Sequence, residues 1–112
     1  MKKLALITGG ILLLFSSTIF AEPHADAALK HAKEAVEHGK MGHSAVLVEH
    51  AETALEHAKK AKEAAKGDDS KHHMHEAVET LQQGIEHGKL EHTEMATHAV
   101  EDAIKHLEAG KK

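Results

Sequence analysis

Ala35-Val36-Glu37-His38-Gly39-Lys40 is echoed 49 residues later by Gly84-Ile85-Glu86-His87-Gly88-Lys89. Each copy reads as the last turn of an amphipathic helix running into a glycine, with a basic residue near its C-terminal end. The echo extends outward from this turn. His24, His38, His43 and His57 return as His73, His87, His92 and His106, all at the same offset. A segment of this length that carries one helix end and the next helix start is a helical hairpin, and the chain contains it twice.

The helices around the turns follow from periodicity. Ala25, Ala28, Leu29, Ala32, Ala35 and Val36 recur at i, i+3, i+4 spacing behind Pro23, which suits a first helical turn, and Gly39 is expected to stop the pattern. Ser44 is the expected cap of a second helix carried by Leu47, Ala51, Ala54, Leu55, Ala58 and Ala65. Gly67-Asp68-Asp69-Ser70 reads as the linker between hairpins. Met74, Val78, Leu81 and Ile85 carry a third helix, and Thr93 opens a fourth through Met95, Val100, Ile104 and Leu107 to Gly110. The hairpin repeats span about 22–66 and 71–110. The expected fold is all-α, an up-down-up-down four-helix bundle built from a duplicated hairpin, with an alanine-rich core of modest stability.

Residues 1–21 read as a signal peptide. Lys2 and Lys3 precede an uncharged, largely apolar run from Leu4 to Phe20, and Ala21 stands at the expected cut. The alternative is an uncleaved membrane anchor, because the run approaches spanning length. Cleavage implies export, a periplasmic location and a mature domain of residues 22–112, expected to be a monomer with no membrane contact. The mature chain keeps all 13 His and loses both Phe, leaving no aromatic residue beyond histidine. Its formal charge is −6 with neutral His and +7 with every His protonated. Histidine titrates near pH 6.5, so this charge reverses under mildly acidic conditions.

Composition removes several function classes. There is no Cys, hence no disulfide, iron–sulfur cluster, thiolate zinc site or cysteine nucleophile. All 14 basic residues are Lys, and no Trp or Tyr is present, which argues against a nucleic-acid partner. A di-iron carboxylate enzyme is excluded on spacing, because no Glu has a His three residues later. No nucleophile–base pair or phosphate loop stands out, so no enzymatic activity is expected.

What remains is the spacing of the histidines. His24, His31 and His38 are seven apart, as are His43, His50 and His57. Seven residues are two turns, so each trio forms one stripe, beside the apolar stripe rather than within it. Antiparallel helices bring together residues whose numbers add to a constant. His38 with His43, His31 with His50 and His24 with His57 share one sum; His87 with His92 and His73 with His106 share another. Successive rungs are expected about 10.5 Å apart, too far for one ion to span two of them. His31 corresponds to Thr80, so one rung position is lost, and His98 lies one residue short of the counterpart of His50, implying a slip in the fourth helix.

Carboxylates can complete such rungs. Glu34 stands four residues before His38, and Glu94, His98, Asp102 and His106 follow one another at i, i+4. The cluster His72, His73 and His75 has Glu76 and Glu79 four residues after a His. Imidazole with carboxylate suits Cu(II), Ni(II) and Zn(II), with copper favoured by the Irving–Williams order. Met41, Met74 and Met95 are either soft ligands or packing residues. An amino-terminal copper site on Glu22-Pro23-His24 is blocked, because Pro23 has no amide proton to lose. The expectation is therefore binding of several divalent ions, copper foremost. The alternative is a pH-responsive helical protein without a dedicated metal role.

The segments His31-Ala32-Lys33-Glu34-Ala35-Val36-Glu37-His38-Gly39-Lys40-Met41-Gly42-His43, Val48-Glu49-His50-Ala51-Glu52 and Glu101-Asp102-Ala103-Ile104-Lys105-His106 resemble the small metal-binding protein (SmbP) family. The resemblance spans essentially all of residues 22–112. It implies a periplasmic four-helix bundle that binds several divalent cations, copper the main candidate, in a buffering or sequestering role. The chain departs from the pattern at Thr80 and in the His72–His75 cluster.

Overall fold

The computed structural model describes residues 23–111, so the signal segment and its cleavage point lie outside the described residues. Four helices follow in order: α1 (Pro23–Lys40), α2 (Ser44–Ala64), α3 (Asp68–Lys89) and α4 (Thr93–Gly110). Each packs chiefly on two neighbours, α1 on α2 and α4, and α3 on α2 and α4, with a smaller diagonal contact between α2 and α4. With short links reversing the chain each time, this is the expected up-down-up-down bundle. The α1/α2 and α3/α4 hairpins form opposite edges, and both hairpin turns lie at one end.

Alanine sets the spacing of the helices. Ala28 and Ala32 of α1, Ala51, Ala54 and Ala58 of α2, Ala77 of α3 and Ala103 of α4 are all fully buried. Leu47, Met74, Leu81, Val100 and Leu107 are the largest enclosed side chains. Small residues let helix axes approach, at the cost of burying little apolar area per residue. Two glycines serve the same purpose. Gly39 and Gly88 lie inside their helices, not beyond them. A Cβ on Gly39 would run into Leu47 at 2.7 Å and into the Thr97 hydroxyl, and one on Gly88 would meet Val48 at 2.6 Å. The stop signal read at Gly39 is a packing requirement instead.

The turns differ from expectation where polar side chains chose partners across the bundle. Ser44 does not cap α2: His43 holds the cap position without a side-chain bond. The Ser44 hydroxyl meets that of Thr93, its repeat counterpart, at 2.5 Å, tying the two hairpin turns together. The link between hairpins is residues 65–67, shorter than read, because Asp68 and Asp69 enter the first turn of α3, where the helix dipole favours carboxylates. Ser70 donates to the Gly110 carbonyl at 2.6 Å, fastening α3 to the end of α4. In α4 the core position expected for Met95 falls to Ala96 and Thr97, and Met95 is exposed. Thr97 satisfies its buried hydroxyl by donating to the Thr93 carbonyl at 2.8 Å. The turns themselves repeat with two substitutions, Met41 to Leu90 and Gly42 to Glu91. Gly42 has φ +81°, and Glu91, 49 residues on, adopts φ 63°, a conformation costly for any residue with a Cβ.

Candidate metal centre

All five cross-helix histidine pairs read from the numbering are in contact. His24 and His57 approach Nδ1 to Nδ1 at 3.0 Å, close enough for one ring to donate to the other. The same atoms are 3.5 Å apart in His31/His50 and in His38/His43, and 3.3 Å apart in His73/His106. The His87 and His92 rings lie 5.9 Å apart between centroids. The helices bring this about simply. A heptad stripe at the edge of the apolar face must point into the groove between paired helices, and an equal stripe on the partner meets it there.

The central rung of the first hairpin gathers a third group. The Glu34 Oε1 atom lies 3.3 Å from His31 Nδ1 and 3.2 Å from His50 Nδ1. These three donors form the single cluster of three or more His, Asp or Glu ligand atoms found among the described residues. Glu34 was expected to serve His38 one turn on; it turns instead toward His31, one turn back, because the tilt of helical side chains favours the N-terminal neighbour. A triangle with edges of 3.2–3.5 Å has the dimensions of one face of a tetrahedron around an ion held at about 2.0–2.1 Å. The residues are partly open, with the two imidazoles 28% and the carboxylate 39% accessible. Water can therefore supply the remaining positions.

Diagonal contacts link the successive rungs of the first hairpin. The helices are staggered, so each of the four inner rings sits between two rings of the partner helix. His31 lies 6.1 Å from His57 as well as 5.7 Å from His50, and His38 lies 5.6 Å from His50 as well as 5.7 Å from His43. Six imidazoles thus form one unbroken zigzag rather than three isolated rungs, although helical rise still sets successive rungs two turns apart. Packing them together has an electrostatic consequence. Desolvation, followed by repulsion from His24 and His31, lowers the pKa of His57 below 6.5, with Lys60 adding to the effect and Glu56 opposing it.

The second hairpin is sparser. Thr80 occupies the place of the middle rung and turns its hydroxyl onto the Glu76 and Ala77 carbonyls of its own helix. The position facing it is Ala99, because α4 runs unbroken from Thr93 to Gly110 and no slip brings His98 into line. His98 is rotated off the stripe, 73% exposed, and pairs with Glu101 at 3.3 Å. Glu94 and Asp102 are likewise exposed and join no imidazole pair. At the α3 end, His73 adds a 3.8 Å contact to Asp69, and the His72 ring lies beside it, tilted, at 5.6 Å between centroids. His75 pairs with Glu79 at 3.0 Å, as their spacing suggested, and meets the Lys62 ammonium at 3.2 Å. The His87 Nδ1 atom is buried with no hydrogen-bond partner, an orphan of the kind that a bound ion would satisfy. Met74 is core, whereas Met41 and Met95 are exposed at the turn end.

A family model described as small metal-binding protein matches residues 1–110. The chain belongs to the small metal-binding protein family. That membership agrees with the donor set, which is imidazole and carboxylate throughout, with no thiolate. No curated protein matches the chain by sequence. Among the described residues of this small metal-binding protein family member, Glu34 is the one carboxylate that joins an imidazole rung at ligand distance on both sides.

Proposed function

We propose that the mature protein is a periplasmic metal buffer that takes up several divalent transition-metal ions reversibly, copper foremost, with Ni(II) and Zn(II) as further ligands. The observation that carries this reading is the convergence of His31, His50 and Glu34, repeated in weaker form by the neighbouring imidazole pairs. Paired imidazoles on a partly open groove favour exchange over permanent capture, since a closed, fully ligated site releases its ion slowly and water-accessible sites do not. The same openness, and the lack of a supporting shell around the donors, favours storage or sequestration over catalysis. Export follows from the reading of residues 1–21 as a signal peptide. A monomer suffices, because every imidazole pair is made within one chain.

Titration with Cu(II) at pH 7.5, followed by native mass spectrometry, tests the proposal and reports the processed N-terminus at the same time. Several equivalents should bind, leave near pH 5 as imidazoles protonate, and raise the melting temperature while bound. Uptake no greater than that of a histidine-poor helical bundle would overturn the reading and favour the charge-reversing, pH-responsive alternative.

A further inference from the structure

We propose that the first-hairpin zigzag is a track along which a bound divalent cation moves, imidazole by imidazole, between the His24/His57 end and the His38/His43 end. The inference rests on the metal-binding reading above and concerns what the ladder does beyond holding ions. The order along the track is His24, His57, His31, His50, His38, His43. Its successive ring centroids are 5.3, 6.1, 5.7, 5.6 and 5.7 Å apart.

Two imidazoles that share an ion have a limited range of separations. With a metal–nitrogen bond of about 2.0–2.1 Å and a ring half-width of about 1.1 Å, their centroids lie roughly 5.1 Å apart at a tetrahedral angle and about 6.3 Å apart when opposed. All five steps fall inside that window, the diagonals between rungs as well as the rungs. No step is a gap, and each interior ring stands at sharing distance from the ring before it and the ring after it. The diagonal pairs are stacked, with planes only 4° and 9° apart, and an imidazole binds a cation in its ring plane, so each diagonal move requires one ring to turn about its side-chain torsions until its nitrogen faces the ion.

Each move is a ligand exchange. One nitrogen–cation bond forms as one breaks, the released imidazole keeps its lone pair, water fills any vacant position, and no oxidation state changes. Glu34, at the midpoint, adds a carboxylate to the His31/His50 pair and makes the centre of the track its most strongly ligated stop. The second hairpin provides an internal comparison. Its middle rung is Thr80 facing Ala99, so the His87/His92 and His73/His106 pairs stand about 21 Å apart along the axis with no imidazole stripe between them.

Histidine ring NMR with sub-stoichiometric Zn(II) tests this on the whole mature domain. Zinc exchange between the His24/His57 and His38/His43 pairs should proceed at a rate independent of protein concentration. Exchange between the His73/His106 and His87/His92 pairs should scale with it. Replacing the middle of the track by His31→Gln with His50→Gln should convert the first hairpin to the second behaviour. At about 50 μM protein that change is roughly twentyfold in rate, since sites on one molecule see each other at an effective concentration on the order of mM. The His31→Ala/His50→Ala pair, with its higher helix propensity, repeats the test should the Gln variant unfold. An end-to-end rate in the unmodified protein that rises in proportion to protein concentration overturns the track, as does a rate that the double substitution leaves alone. Histidine signals that zinc does not move would instead overturn the metal-binding reading, and the track with it.

Discussion

Replacing Glu34 by Gln removes one charge and leaves the shape of the central site unchanged. The carboxylate oxygen stands 3.3 and 3.2 Å from the Nδ1 atoms of His31 and His50, so under the proposed function it would be the third ligand of an ion the two imidazoles shared. A charge-assisted contact of this kind is worth about 1.5–3 kcal/mol, which corresponds to roughly 10- to 150-fold in Kd at about 1.4 kcal/mol per decade. At a free-ion concentration of about 100 times the unmodified Kd, binding stabilises the fold by about 2.7 kcal/mol. A thirtyfold weaker site retains about 0.9 kcal/mol of that. The difference of about 1.8 kcal/mol is worth roughly 7–14 °C of melting temperature in a domain of this size. Competition against a chromophoric chelator gives the Kd, and circular-dichroism melts with and without ion give the shift. Glu37→Gln, on the exposed face of the same helix, is the control and should change neither. A Glu34→Gln site within twofold of the unmodified affinity, or an equal loss from Glu37→Gln, would refute the assignment of Glu34 as the third ligand.

Three further outcomes are expected. His31→Ala and His50→Ala should each abolish the tightest site, and their combination should cost no more than either alone, since both remove one shared ion; a double-mutant cycle by calorimetry that returned additive losses would contradict this. Glu91→Gly should stabilise the ion-free protein by about 0.5–1 kcal/mol in urea denaturation, because Glu91 holds φ 63° where its twin Gly42 holds +81°. The lowered pKa of His57 means that the unfolded chain binds its proton first as pH falls. The stability due to neutral His57 is therefore full above about pH 6.5 and is lost as pH drops toward the lower folded value. Melts of the ion-free protein from pH 7.5 to 5 should show that decline, and His57→Gln should flatten it; an equal decline in both would assign the effect to other groups.

Much of this arrangement was legible in the order of residues. Periodicity located four helices, and the 49-residue repeat paired them into hairpins. Because paired helices impose a constant sum on facing residue numbers, five imidazole pairs were readable without coordinates, and all five are in contact. The misreadings cluster where a side chain chose among partners that only packing supplies. Ser44 looked like a cap and instead bonds Thr93. Gly39 looked like a stop and instead admits Leu47 and Thr97. His98 looked like a slipped ladder member, but an unbroken helix carries it onto another face.

The sequence by itself determined which residue types are available to bind an ion and on which stripe of each helix they stand, because helical periodicity is a local property. Tertiary structure decided how the two stripes mesh. The stagger of α1 against α2 goes with alanine and glycine packing in the core, and it turned three separate rungs into one continuous zigzag. It also decided that Glu34 faces a histidine of the neighbouring helix. Side-chain rotamers and interhelical offset are set by contacts distant in the chain, and no spacing rule within one helix contains them.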